Sequence, residues 1–453
     1  MTIRRLTQRI QFRSLRAAHR ESGRSIPLSP IALVLFLLSG LLGGLTHGEE
    51  PPPLTLEQLL DEALRNNPEL RALSASADAA RGEVVTAATW QNPELSVSPK
   101  LTHTRSEGGR SSNQFDKEIG LSQTIEFPGK RALRRAVAEK NVEIRELALA
   151  GFRSQLSNQV RSAFYRLLVS EQLVSLKENR LTIAKTFVEA ARKKVDAGYA
   201  PEFEATKAEV ERVAAEKELR EAQAQRQASA VALTALLGRT PTRSLTVSGD
   251  LARDLPSPDE ATLLAEASLR NPSLRIQAVE VERTSLGVDL ARRSRFPDFT
   301  IGPSYETEPD TQFYTLGLSL PLPFWDRKQG EIVTAEAERR RAAAELQKLQ
   351  QEILRDILTS SQDLAAAKAG LASYTPQLFG KLIEALDAAS RGYPEGRTPL
   401  LLFLETQRTF FDTQAGYLET LQKLYEARAA LEAAVGVPLA ELATPHHGGK
   451  SNK

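Results

Sequence analysis

VRSAFYRLLVSEQLVSLKENRLTIAKTFVEAARKKVDAGYAP, residues 160–201, decides the fold. Val160, Leu167, Val174, Leu181, Val188 and Val195 recur at an interval of seven. Three places beyond most of them stand small residues, Ala163, Ser170, Ala184 and Ala191, with Lys177 the exception. An apolar position held every seven residues predicts a helix in a left-handed supercoil, and the small residues let a neighbouring helix come close. After Gly129 there is no proline before Pro201, and the only glycines are Gly151 and Gly198. At about 1.5 Å per residue, a helix over 129–197 would span roughly 100 Å. Gly198 suits a left-handed position after a helix, and Pro201 the first turn of the next one. That second helix runs to Leu237 and stops at Gly238. Residues 129–238 therefore predict a very long antiparallel helical hairpin.

The surrounding chain is one design written twice. Thr55 and Gln58 form a capping box for a short helix that ends near Asn67-Pro68, and another helix follows to about Thr89. Ser257-Pro258-Asp259-Glu260 reads as a second capping box, followed by Asn271-Pro272 and a helix to about Ser294. Gly198 and Pro201 match Gly396 and Pro399, and Ala235-Leu236-Leu237-Gly238 matches Ala433-Ala434-Val435-Gly436. The expected organisation is a signal peptide (1–48), a first repeat (49–238), a linker (239–257), a second repeat (258–436) and a polar tail (437–453). Pro376 should kink or end the long helix of the second repeat (326–436).

Between the helices the period changes. In Leu95-Ser96-Val97-Ser98-Pro99-Lys100-Leu101 the odd positions are mainly apolar and the even ones polar. Phe115, Ile119, Leu121, Ile125 and Phe127 share one face, opposite Asp116, Glu118, Ser122, Thr124 and Glu126. The same alternation predicts strands over 94–104, 115–127, 298–306 and 312–320. Alternation alone fits a soluble β-layer as well as a membrane barrel wall. The aromatics Phe115, Phe127, Phe299, Tyr305, Tyr314, Phe324 and Trp325 stand near strand ends, as interfacial girdles do.

Composition narrows the choice. The formal net charge of +2 implies no nucleic-acid partner. There is no cysteine, which removes disulfides, thiolate metal sites, a cysteine nucleophile and a lipidated N-terminal cysteine. Arg4, Arg5, Arg9, Arg13, Arg16, Arg20 and Arg24 precede an apolar run from Ile31 to Leu42 and then small residues. That order is an export signal, and its apolar run is short for a membrane span; an N-terminal anchor helix is the alternative. Export, long rods and duplication favour the barrel. Only closed barrels satisfy every strand hydrogen bond in lipid. Single-chain barrels start at eight strands, so four must oligomerise, two chains giving eight and three giving twelve.

From Leu54 to Gly436 the chain resembles the TolC-like outer membrane efflux proteins. The duplicated helix–strand–strand–helix–helix order, the Asn-Pro helix openings and the glycine-marked tips carry the resemblance. Leu121-Ser122-Gln123-Thr124-Ile125-Glu126-Phe127-Pro128-Gly129-Lys130-Arg131 looks like a segment of the cobalt–zinc–cadmium efflux branch. The resemblance implies a mainly α fold with a transmembrane β-barrel: a homotrimer with a twelve-stranded barrel in outer-membrane lipid and a helical barrel in the periplasm. It also implies a periplasmic adaptor and an inner-membrane pump of the resistance-nodulation-division type as partners. By the same resemblance Glu405 fits an entrance gate, while Leu402 stands where some relatives carry a second acid. Glu202 and Glu204 follow the first tip, and in a trimer each acid becomes a ring of three that favours cations. Gly198, Tyr199, Ala200, Gly396, Arg397 and Thr398 are the expected adaptor contact.

An enzyme is not expected. No phosphate loop or metal-ligand spacing appears, no cofactor is implied, and the many carboxylates fall on charged helix faces beside Lys and Arg. The expected function is a passive efflux duct for heavy-metal cations or small toxic compounds. A protein-secretion duct and a pore-free periplasmic tether are the alternatives.

Overall fold

The computed structural model describes residues 53–105, 111–241, 244–251, 258–308 and 311–442. The expected signal peptide and Ser257 lie outside the described residues.

The first repeat runs α1 (Leu56–Asn66), α2 (Pro68–Ala88), β1 (Glu94–Arg105), β2 (Ser111–Ile125), α3 (Lys130–Asp196) and α4 (Glu202–Leu236). The second runs α5 (Glu260–Arg270), α6 (Pro272–Arg293), β3 (Phe299–Glu308), β4 (Thr311–Ser319), α7 (Gln329–Ala372), α8 (Pro376–Gly392) and α9 (Leu400–Val435), with a final turn α10 (Leu439–Leu442). The 67 residues of α3 make a rod of roughly 100 Å. Its heptad stripe is the packing seam, with Val160 and Leu167 fully buried. The returning α4 answers with small residues at the same interval, Ala208, Ala215, Ala222 and Ser229, all buried. Lys177 breaks the pattern because it is paired: Glu218 on α4 accepts from its Nζ at 2.8 Å and from Arg180 at 2.6 Å.

Several boundaries differ from expectation. Pro201 and Pro399 are extended N-caps, not first-turn residues. Asp259 caps α5 by accepting from Thr262 N at 3.2 Å, so the helix starts two places after the expected Ser257. Strand β2 begins at Ser111, earlier than 115, and ends at Ile125 because Phe127 N turns to donate to Asp298 Oδ1 at 2.7 Å. As expected of Pro376, the long helix ends before it, and Thr375 caps the next one. The 239–257 segment is more than a linker. Leu245 and Val247 are buried, and Leu54 bridges Val247 in parallel, closing the first repeat on itself. The polar tail opens with α10, whose Leu439 is fully buried.

The two Asn-Pro openings do the same work. Asn67 Oδ1 accepts from Glu69 N at 2.9 Å while its Nδ2 donates to Leu236 O at 3.1 Å. Asn271 Oδ1 accepts from Ser273 N at 2.9 Å while its Nδ2 donates to Ala434 O at 2.8 Å. Each side chain caps one helix start and satisfies a carbonyl at the end of the returning helix. Both are nearly buried, so Asn271→Ala removes a cap worth about 1 kcal/mol and leaves a carbonyl unmatched at about 1–3 kcal/mol. We expect a loss of about 2–3 kcal/mol in chemical denaturation followed by circular dichroism. Wild-type stability in that assay would remove the clasp.

Candidate channel surfaces

The four strands form one antiparallel sheet in the order β1-β2-β3-β4. Register aligns one apolar face across all of them. Leu95 opposes Leu121 and Val97 opposes Ile119; Ile119 opposes Tyr305; Ile301 opposes Leu318 and Tyr305 opposes Tyr314. This face is bare, Leu101 being 77 % and Leu316 72 % exposed. The other face carries Glu94, Ser96, Glu118, Ser122, Thr300, Ser304 and Thr315, with Thr124 and Thr300 hydroxyls 3.0 Å apart. Among the described residues no helix is long and apolar enough to cross a membrane. A sheet with an exposed, mainly apolar face and a polar reverse is compatible with a barrel wall between lipid and water. Within one chain β1 pairs only with β2 and β4 only with β3, so each leaves an edge open.

The two hairpin tips share one backbone solution. Gly198 and Gly396 both have φ of +74°, where a side chain would be strained. Tyr199 N donates to Lys194 O at 2.8 Å, and Arg397 N donates to Gly392 O at 2.9 Å. Tyr199 is 83 % exposed, Arg397 pairs with Glu395, Ala200 is half-buried, and Thr398 N bonds to Gly392 O at 3.1 Å.

Behind the tips lies an aromatic core that the sequence reading did not anticipate. Tyr393, 1 % exposed, stacks on Phe403 with ring centroids 5.5 Å apart and meets Phe187 edge-on. Its hydroxyl donates to Glu204 Oε2 at 2.8 Å. Lys194 Nζ donates to Tyr393 O at 3.3 Å and sits 4.3 Å from its ring centroid. The first hairpin, through Lys194 and Glu204, therefore grips the second through Tyr393. Burial, and then the hydrogen bond to Glu204, push the Tyr393 phenol well above its ordinary range, so it remains a donor. The available signal was position: Tyr393 stands three places before Gly396, and Lys194 four before Gly198.

The expected gate acids are placed differently from one another. Glu202 is exposed in the first turn of α4, Glu204 is half-buried on Tyr393, and Glu405 is exposed on α9. Within one chain the structure draws no hydrogen bond or ion pair between Glu405 and either of the others. Exposed apolar side chains flank them: Phe203, Leu401 and Leu402. Among the described residues no group of three or more His, Asp or Glu is placed to hold a metal ion.

A two-faced sheet is thus carried on long paired rods. Residues 59–239 and 263–437 match the family described as outer membrane efflux protein. The chain is 30 % identical over 390 residues to the cobalt-zinc-cadmium resistance protein CzcC of Cupriavidus metallidurans, covering 86 % of this chain and 91 % of that one. It is 23 % identical over 407 residues to the pyoverdine export outer membrane protein OpmQ of Pseudomonas putida, covering 84 % and 85 %. Its fold matches the crystal structure of the outer membrane protein VceC from Vibrio cholerae with a TM-score of 0.69 at 20 % identity, over 85 % of this chain and 96 % of that one. The chain belongs to the outer membrane efflux protein family. It is an efflux channel of the outer membrane that reaches into the periplasm. Members of the family act as trimers with an adaptor and an inner-membrane pump.

Proposed function

We propose that three copies of this chain close their sheets into one twelve-stranded barrel above a helical tube. The duct passes divalent heavy-metal cations delivered by a resistance-nodulation-division pump and its adaptor. The sheet carries this reading. Its two open edges would each expose backbone groups costing several kcal/mol in lipid, so they need partners. Four strands per chain, taken three times, give twelve, above the minimum of eight. The cargo assignment rests on the similarity to CzcC.

The tips form the periplasmic entrance in this reading. Gly198, Tyr199, Ala200, Gly396, Arg397 and Thr398 meet the adaptor, and the exposed Tyr199 is the strongest anchor among them. Glu405 and Glu202 stand free for rings of three carboxylates, which attract cations and repel anions. Glu204 acts instead through Tyr393, as a latch between hairpins.

The protein extracted from outer membranes should have the detergent-corrected mass of three chains; a monomer or dimer would reject the barrel. Deleting the gene should lower tolerance to cobalt, zinc and cadmium salts. Unchanged metal tolerance with lost tolerance to organic toxicants would reject the cargo. Glu405→Ala should raise closed-state conductance in planar bilayers, and an unchanged trace would remove Glu405 from the gate.

A further inference from the structure

The passages from strand to long helix differ between the two repeats in length and in place. All four strands reach the rods along one end of the sheet, since Glu94 opposes Ser122, Ile125 opposes Phe299 and Thr300 opposes Ser319. The helices follow the same order, α2 on α3, α3 on α6 and α6 on α7. At this level β1 with α2 therefore forms one open edge of the chain, and β4 with α7 the other. From β2 into α3 the chain passes in four residues, 126–129, inside the sheet. From β4 into α7 it takes nine, 320–328, at the open edge. Residues 320–327 are exposed throughout, Leu322 and Phe324 among them, and Trp325 is 89 % exposed.

This segment is held in shape without being covered. Pro321 and Pro323 fix two φ angles. Phe324 N donates to Leu322 O at 2.9 Å, Gln329 Nε2 to Trp325 O at 3.2 Å, and Lys328 N to Asp326 Oδ1 at 2.8 Å. Val333, one turn into α7, is exposed as well. The opposite edge presents matching surface at the same height. Val85, one turn before the end of α2, and Trp90 beyond it are both exposed. Trp90 and Arg131 line one cavity of about 750 Å³. The Arg131 guanidinium lies 4.1 Å from the Trp90 ring centroid and makes no ion pair among the described residues. The cations next to it are already matched, Arg134 with Glu126 at 2.9 Å and Arg135 with Glu139 at 2.7 Å.

We propose that residues 320–326 strap one copy of this chain to the next. Phe324 and Trp325 seat on Trp90 and the mouth of its cavity in the neighbouring copy, Val333 meets Val85, and Asp326 turns to Arg131. Three observations favour a second copy over lipid as the cover. The extra length occurs only at the passage that stands on an open edge. Exposed apolar side chains stand at one level on both edges, on a strand end and on the first turn of the helix joined to it. Asp326, its side chain 73 % exposed, brings a carboxylate among the rings, and Arg131 is the unmatched cation on the facing edge. Lys328, the cation nearest Asp326 in its own chain, lies 3.7 Å from it and is bound more closely to Glu331 at 2.8 Å. The contact joins one edge to the other rather than an edge to itself, so repeated by rotation it closes a ring. The prolines and hydrogen bonds shape the segment beforehand, which lowers the ordering cost of docking. The inference rests on the reading that several copies close one barrel, and assigns part of the joint to residues outside the strand ladder.

The chain has no cysteine, so introduced thiols report on one contact at a time. A Trp90→Cys, Trp325→Cys double variant in isolated outer membranes is treated with a thiol-to-thiol linker shorter than about 14 Å, the three strand spacings that separate β1 from β4 within one chain. Denaturing electrophoresis should then show bands of two and three chains, while each single variant gives one. A single-chain band alone from the double variant would overturn the proposal and leave the rings to lipid. Charge reversal reads the same contact with the rings in place. Asp326→Arg should lower the trimer-to-monomer ratio in detergent by roughly tenfold, and adding Arg131→Asp should restore most of it. An unchanged ratio in Asp326→Arg, or no recovery on adding Arg131→Asp, would overturn the pairing. The detergent-corrected mass of the wild type separates the two readings. A trimer whose thiols do not link overturns this inference alone, whereas a monomer overturns the barrel.

Discussion

Glu432→Ala is expected to destabilise the protein by about 3–5 kcal/mol, the usual cost of removing one partner from a buried ion cluster. Glu432 is fully buried on α9. Its Oε2 accepts from Arg161 Nη1 of α3 at 2.7 Å, and its Oε1 accepts from Arg428 Nε at 2.9 Å and Leu439 N at 3.1 Å. The two arginine side chains are only 16 % and 11 % exposed, so neither recovers full hydration when the carboxylate goes. The cluster joins the first repeat's longest rod to the last long helix beside the Asn271 clasp, where Ser154 Oγ also donates to Gly436 O at 3.3 Å. Chemical denaturation in detergent, followed by helical circular dichroism, reads the effect. A variant in which Glu432, Arg161 and Arg428 are all replaced by apolar residues of similar volume should recover most of the loss, because burying the ions is itself costly. A Glu432→Ala midpoint equal to wild type would show that the cluster is solvated in the assembled protein.

Tyr393→Phe is expected to loosen the entrance with little effect on folding. The ring keeps its stacking against Phe403 and its edge contact with Phe187, and only the hydroxyl is lost. A hydrogen bond to a charged acceptor contributes about 1.5–3 kcal/mol, or roughly 10- to 100-fold in the balance between latched and unlatched hairpins of each chain. In planar bilayers the open fraction should rise by about tenfold or more from a low starting value. Glu204→Gln, which keeps a neutral acceptor, should give a smaller rise in the same direction. If Tyr393→Phe opens no more often than wild type, the contact is packing rather than a latch.

Much of the fold was legible because it obeys periodicity. A stripe at interval seven, two Asn-Pro openings and two glycine tips are local chemistry, and the structure finds rods, clasps and left-handed turns at those residues. Strand alternation was equally plain, since side chains in a strand point alternately to opposite faces. Boundaries were less legible. Ser257 resembled a cap, but Asp259 makes the bond; Phe127 continued the alternation, yet Asp298 pulled its backbone out of the strand. In each case the deciding partner lay a few residues off or in the other repeat.

The candidate site divides in the same way. Gly198, Gly396, Glu202 and Glu405 could be singled out by their distance from a helix break. Tyr393, Lys194 and Glu432 could not, because their partners are 189, 199 and 271 residues away in the chain. The linker over 239–257 looked polar and spare, while Leu245 and Val247 proved to be core.

By itself the sequence determined the elements, their duplication and the two-faced sheet, since periodicity and capping depend on residues within a turn or two of one another. Only the tertiary structure decided which charges are matched and which tyrosine joins the hairpins. Those depend on long-range approach, and a hydrogen bond forms only when its two atoms come within about 3 Å, a condition no local pattern encodes.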